Sequence, residues 1–104
     1  MALEQYINLD DASIDLVIVG HAARSEYDSC KLYAPSIMHV AGKVFRFEEQ
    51  DERMLDESFT LGVREGLNRT PVMDVVNPYP GNPYAERFIG QGHSWGLGLV
   101  TRRD

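Results

Sequence analysis

Two short stretches decide how this chain folds: Phe59-Thr60-Leu61-Gly62-Val63-Arg64-Glu65-Gly66-Leu67 and Phe88-Ile89-Gly90-Gln91-Gly92-His93-Ser94-Trp95-Gly96. Each carries a glycine pair four residues apart on an apolar background. A glycine inside a helix costs about 1 kcal/mol relative to alanine, so two such pairs require a packing reason. Close approach of two helix backbones supplies one; the alternative is that Gly90, Gly92, Gly96 and Gly98 fray the second stretch into a loop. In the first stretch, Leu55, Phe59, Gly62 and Gly66 recur at spacings of three and four, with Val63 beside them, which predicts a helix from about Gln50 to Leu67. Asp51, Glu52, Asp56 and Glu57 lie early in it and Arg64 and Arg69 late, as the helix dipole favours. Asn68 is a suitable terminator because it tolerates a left-handed conformation. In the second stretch, Ala85, Phe88, Ile89, Gly92, Gly96 and Leu99 share one arc, with Trp95 at its border. A helix from about Pro83 to Leu97 follows, with Asn82 as N-cap and Pro83 at its first position. Phe59, Phe88 and Trp95 would close the crossing.

Between the two lies Asn77-Pro78-Tyr79-Pro80-Gly81-Asn82-Pro83, a rigid and irregular connection. A weaker break sits at Ala34-Pro35-Ser36. The front of the chain reads two ways. Leu16, Val19, Ala23 and Tyr27 fit a helix over 11–27 capped by Asp10 or Asp11, yet Leu16-Val17-Ile18-Val19 before Gly20 also fits a short buried strand. Ile37, Val40, Ala41, Val44 and Phe45 fit a helix, while Gly42 to Phe47 also fits a strand with Phe45 and Phe47 on one side. The expected class is mainly α: a C-terminal glycine-faced helical hairpin over 50–98, packed with a helical or α+β N-terminal part in one small domain.

The length of 104 residues suits one domain with a small core, and 43% apolar residues argue against wholesale disorder. A single cysteine excludes an internal disulfide and a cysteine-rich zinc knuckle. The longest apolar run, Leu16 to Val19, is too short to span a bilayer, and no signal peptide is visible at Met1-Ala2-Leu3-Glu4, so cytoplasm is the expected compartment and no membrane is expected as a partner. Charge divides the chain: residues 1–57 hold twelve acids and five bases (−7), residues 58–104 four acids and five arginines (+1). The net charge of −6 gives no general attraction to nucleic acid, and Arg102-Arg103 is the nearest approach to a basic footprint.

Phe59-x-x-Gly62-x-x-Glu65-Gly66-Leu67, then Asn77-Pro78-Tyr79-Pro80, then Ala85, Phe88 and Gly92-His93-x-x-Gly96 resembles the ribosome modulation factor family and its looser phage and plasmid relatives. Those proteins have a short helix with small residues, an Asn-Pro-Tyr or Cys-Pro-Tyr turn, and a second helix ending in Trp-x-x-Gly-Trp-x-x-Gly or similar. The resemblance covers about 58–98 and implies a helical hairpin with a ribosome as candidate partner. The departures are specific: the family's tryptophans would fall at Phe88 or Ile89 and near His93, Trp95 is out of step by two positions, the ribosome-silencing members are strongly basic, and the front 57 residues have no counterpart.

The chemistry-bearing residues point away from catalysis. His21, Cys30 and His39 are metal-binding types, but spacings of nine match no short metal loop, and His93 would have to arrive through tertiary folding. Cys30 with His21 or His39 is a thiol pair without a helix start to lower the thiol pKa. Gly90-x-Gly92-x-x-x-Gly96 lacks the preceding strand and spacing of a dinucleotide loop, and no nucleophile elbow or His-Glu-x-x-His segment occurs. Glu48, Glu49, Asp51 and Glu52 neighbour other charges rather than apolar pockets, so a solvated face is the first reading. Spacing of four puts Glu48 and Glu52 on one helix face, and that acidic surface could mimic nucleic acid. Tyr79, Tyr84, Arg87 and His93 beside the Pro-rich turn are the candidate partner contacts, with Phe88 and Trp95 as hairpin core.

Three expectations follow. The first is a small non-enzymatic regulatory protein, of bacterial or phage type, that presents the Pro-Tyr turn to a protein or ribonucleoprotein and needs no cofactor. The second is an acidic nucleic-acid mimic that inhibits a DNA- or RNA-binding protein. The third is a small metal- or thiol-dependent enzyme. A core this small with a glycine-lined face also makes a homodimer an expectation.

Overall fold

The computed structural model describes residues 16–101. The expected cap at Asp10 or Asp11, the start of the first helix and the Arg102-Arg103 pair lie outside them. The described chain runs helix α1 (Leu16–Leu32), strands β1 (Ile37–Val40) and β2 (Lys43–Arg46), a 3-10 turn (Phe47–Glu49), helix α2 (Glu52–Leu67), a second 3-10 turn (Val72–Asp74) and helix α3 (Pro83–Thr101). The protein is mainly helical with one two-stranded sheet, and α3 packs against α2.

The glycines are where the helices meet. A Cβ built on Gly62 would collide with the carbonyl oxygen of Ile89, and one on Gly66 with that of His93. Reciprocally, a Cβ on Gly92 would collide with the Phe59 oxygen, and one on Gly96 would lie 2.5 Å from the Val63 oxygen. The hydrogens in those positions therefore point at carbonyl oxygens, the geometry of weak Cα–H···O contacts. Phe59, Gly62, Val63 and Gly66 relate to Ile89, Gly92, His93 and Gly96 by a constant shift of thirty residues (89 − 59, 92 − 62, 93 − 63, 96 − 66), which makes the crossing quasi-two-fold. The order of these contacts also fixes direction. Position rises along both helices together, so the two helices pair as expected but α2 and α3 run parallel, not antiparallel as in the expected helical hairpin. Both glycine faces are consumed within the chain, and neither is available to a second copy.

A parallel pair requires the chain to travel back, and residues 68–82 do so. α2 ends in a Schellman arrangement: Arg69 N–H donates to Gly66 O at 3.0 Å and Thr70 N–H to Glu65 O at 2.9 Å. The left-handed residue is Arg69 (φ 59°), not Asn68 (φ −83°), correcting the expected terminator. The placement joins the two C-termini, because Arg69 Nη2 donates to the Val100 carbonyl of α3 at 3.2 Å. The returning segment is then pinned by His93 Nε2, which donates to Thr70 O at 2.6 Å, and by Tyr79, whose hydroxyl donates to Glu57 Oε2 at 2.6 Å.

At the other end, Asp51 Oδ1 accepts from Arg53 N–H at 2.8 Å and starts α2. Asn82 Oδ1 accepts from Tyr84 N–H (2.9 Å) and Ala85 N–H (3.2 Å) and starts α3, as expected for an Asn-Pro entry. Its Nδ2 donates to Gln50 Oε1 at 2.9 Å, tying the two helix starts together. Asn82→Ala is expected to cost about 1–2 kcal/mol in urea unfolding. Asn82→Asp, which keeps the caps but not the Gln50 bond, should recover most of that loss.

At 100° per residue, Phe88 and Tyr84 lie on one side of the α2-facing arc of α3, and His93 and Glu86 on the other. α1 covers the first side and the 68–82 segment the second. From α1, Ala23, Tyr27 and Cys30 enter the core, joining Leu55, Phe59 and Val63 of α2 and Tyr84, Ala85 and Phe88 of α3. Tyr27 is the centre: its ring lies 5.5 Å from Phe59 and 6.0 Å from Phe88, the latter edge-on.

Residues 37–47, open between helix and strand in the sequence, form a β-hairpin. Ala41 (φ 52°) and Gly42 (φ 78°) are both left-handed, the requirement of a two-residue type I′ turn. Ile37 pairs with Arg46, Met38 with Phe45, His39 with Val44 and Val40 with Lys43. Met38, Phe45 and Phe47 pack on the core, and the Phe47 ring sits 5.6 Å from Tyr84.

Candidate interaction surface

The inward side chains of the hairpin determine what faces out. With Met38 and Phe45 turned to the core, the period of two puts Ile37, His39, Val44 and Arg46 on the opposite face. All four are exposed, Ile37 at 41% and Val44 at 53%. Leu32 and Tyr33, at the end of α1 just before the hairpin, are 74% and 75% exposed. Of the eight large apolar side chains left exposed among the described residues, five (Leu32, Tyr33, Ile37, Val40, Val44) fall in this one stretch.

The charge there is opposite to that of the chain. From Ser29 to Phe47 there is no acid, against Lys31, Lys43 and Arg46, with His39 among them. A local net of +3 therefore sits in a protein of net −6. Immediately after it, residues 48–57 carry six acids and one base (−5). Basic and acidic surface are thus adjacent in the chain, with the division at Phe47 and Glu48. The remaining exposed apolar side chains, Val72, Met73 and Val76, lie on the returning segment. They neighbour a shallow groove of about 170 Å³ lined by Val72, Val75, Asn77, Glu86, Ile89 and Gly90.

The residues expected to contact a partner are dispersed by the fold. Tyr84 is fully buried, and its hydroxyl donates to Pro35 O at 2.7 Å, so it is core rather than surface. His93 is 7% exposed and anchors the returning segment, which likewise removes it from the surface. Tyr79 is half-buried, with its hydroxyl held by Glu57, whose hydrogen bond pushes the phenol pKa up. Arg87 is half-buried, and its Nε has no hydrogen-bond partner among the described residues. Phe88 is core, as expected, whereas Trp95, expected in the core as well, is half-buried and packs against its margin.

Among the acids, Glu48 and Glu49 are exposed on the 3-10 turn. Glu48 and Glu52 do not share a helix face, because extended backbone at Gln50 (ψ 142°) and Asp51 (ψ 125°) separates the turn from α2. Asp51 is occupied as a cap, and Glu52 accepts from Lys31 Nζ at 2.7 Å and from the Tyr27 hydroxyl at 3.3 Å. The Lys31 hydrogen bond holds the Glu52 carboxyl below its ordinary range.

His21 and His39 are exposed while Cys30 is buried, and no group of three or more metal-ligating side chains forms among the described residues. Burial pushes the Cys30 thiol up to about 11, with Glu26 adding to the shift and Arg87 opposing it. The folded state thus holds the proton more tightly than the unfolded chain, whose thiol titrates near ~8.5. The resulting stability is complete below that value and is lost as pH rises through about 11. Native Cys30 is expected to resist iodoacetamide at neutral pH and to react only on unfolding. Rapid native alkylation would revive the thiol chemistry that burial opposes.

No family model, curated protein or solved structure matches the chain. Among the described residues, no helix is long and apolar enough to cross a membrane.

Proposed function

We propose that this chain is a small non-enzymatic, regulatory protein that binds a macromolecular partner through its hairpin end, the surface from Leu32 to Arg46. The observation that carries this reading is the coincidence of exposed apolar area with a cationic, acid-free stretch on an otherwise acidic chain. Apolar side chains supply the affinity of such a contact, and rim cations supply orientation and on-rate. The test is capture from native bacterial lysate by the full chain and by a Lys43→Glu/Arg46→Glu variant. The expected result is loss of the captured partner with an unchanged melting temperature, because both side chains are exposed. Equal capture by both proteins would overturn the reading.

The ribosome is one candidate partner, supported by the resemblance over 58–98. Co-sedimentation with ribosomes at low salt that is weakened by the same variant would support it, and no co-sedimentation would remove it. The acidic-mimic reading keeps one supporting observation: Glu48 and Glu49 are exposed side by side, outside any cap or ion pair among the described residues. Neutralising these two should then abolish binding without unfolding.

A further inference from the structure

We infer that the outer edge of β1 is a strand-addition site for an extended, carboxylate-bearing segment of a partner protein. The inference deepens the hairpin-end reading above and rests on it. The two-residue turn makes Val40 and Lys43 the closing hydrogen-bonded pair, and bonded pairs alternate down the ladder. Met38 with Phe45 is the next, and the Phe47 N–H to Ser36 O bond at 3.0 Å continues the series. Ile37 and His39 therefore turn their N–H and C=O groups away from β2. The sheet has two strands, and these groups meet no partner among the described residues.

The two edges of the hairpin are not equivalent. Open edges invite pairing, and proteins blunt them with cations or side-chain caps. The β2 edge has both: Lys43 and Arg46 stand on that strand, and Gln50 Nε2 donates to Arg46 O at 2.9 Å. The β1 edge has neither and carries Ile37, His39 and exposed Val40. Side chains on the outward face alternate apolar and nitrogen-bearing in both directions: Ile37 is opposite Arg46, and Val44 opposite the His39 imidazole. A strand laid beside β1 would match this face with alternating apolar and carboxylate side chains. No acid lies between Ser29 and Phe47 to repel those carboxylates, and the nearest exposed acids, Glu48 and Glu49, follow the hairpin beyond Phe47. Three cations and one histidine over nineteen residues (29–47) are sparse for phosphate tracking, so the chemistry favours a peptide over RNA.

The test uses the full chain and three fluorescent probes: a short peptide alternating valine and glutamate, its valine–lysine counterpart, and oligouridylate. Anisotropy should show the glutamate peptide bound in preference to both others, with slowed amide exchange at Ile37 and His39 in the unmodified protein. His39→Pro removes an outward N–H without touching a ladder bond and should weaken binding about tenfold. Val44→Pro does the same on the opposite edge and should change affinity by less than about twofold. Lys43→Glu/Arg46→Glu should reverse the preference toward the lysine peptide. Strand addition is overturned by absence of peptide binding, by equal effects of the two proline variants, by unaltered exchange at Ile37 and His39, or by binding of oligouridylate alone. If lysate capture still depends on Lys43 and Arg46 in those cases, the hairpin-end reading stands without it. If that dependence fails as well, both fall.

Discussion

Gly62→Ala is expected to lower stability by about 3 kcal/mol, and Gly90→Ala to raise it by about 0.5–1 kcal/mol. The two glycines lie in helices of the same pair, and both substitutions carry the same intrinsic helix gain. At Gly90 nothing lies within 4 Å of the added carbon, so the gain survives. At Gly62 the new methyl meets the Ile89 carbonyl oxygen and the His93 nitrogen, both backbone atoms that no rotamer change can move. α2 and α3 must separate, and the contacts of Gly66, Gly92 and Gly96 loosen with them. In thermal melts the loss corresponds to roughly 15 °C. Combining Gly62→Ala with Gly92→Ala should cost less than the sum, since the first substitution has already parted the helices. A Gly62→Ala variant that melts with the unmodified protein would remove the close crossing.

Tyr27→Ala should cost about 3–5 kcal/mol, and Tyr27→Phe less than about 1 kcal/mol. The ring is fully buried between Phe59 and Phe88, with the Arg24 guanidinium 5.1 Å and the Lys31 ammonium 4.9 Å from its centroid. It is the principal side chain by which α1 joins the helix pair. The hydroxyl adds little, because its bond to the 65%-exposed Glu52 carboxylate is 3.3 Å long. Removing the ring leaves a cavity facing Phe59 and Phe88. A loss of this size consumes much of the 5–15 kcal/mol typical of a small domain. Urea unfolding followed through Trp95 fluorescence measures it. Equal losses for the Ala and Phe variants would show that the hydroxyl, not the ring, holds α1.

The helix pair was legible because its signals are local. Glycines four apart, Asn82-Pro83 at a helix start and carboxylates in a first turn each act within a few residues. The parallel sense was not legible, because a Pro-rich connection is compatible with a tight reversal or a long return. The deciding contacts, Asn82 with Gln50 and Arg69 with Val100, lie about thirty residues apart in sequence. The hairpin was ambiguous because Ala41-Gly42 is a weak turn signal beside Asn-Gly, and its short apolar runs fit either period. The aromatic residues flanking the Pro-rich turn suggested surface contacts, but burial went to Tyr84 and its hydroxyl found Pro35. The hairpin surface did leave a trace in the sequence. Charge summed over the first 57 residues hides a cationic stretch from 29 to 47 that a shorter window exposes.

The parallel course of α2 and α3 bears on how the chain finds its fold. In an antiparallel pair, helices zip outward from the turn, and each new contact closes a slightly larger loop. Here no glycine contact closes a small loop: Gly62 meets Ile89 27 positions on (89 − 62), and Phe59 meets Gly92 33 positions on (92 − 59). The rate-limiting encounter therefore joins two preformed helices across a long loop, so the transition state should be structured at the glycine seam before the returning segment settles. α2 spans about 24 Å, while residues 68–82 could stretch to about 50 Å. That slack implies that shortening the return by a few residues should speed folding more than it harms the folded state, an outcome an antiparallel pair with a tight loop would not show.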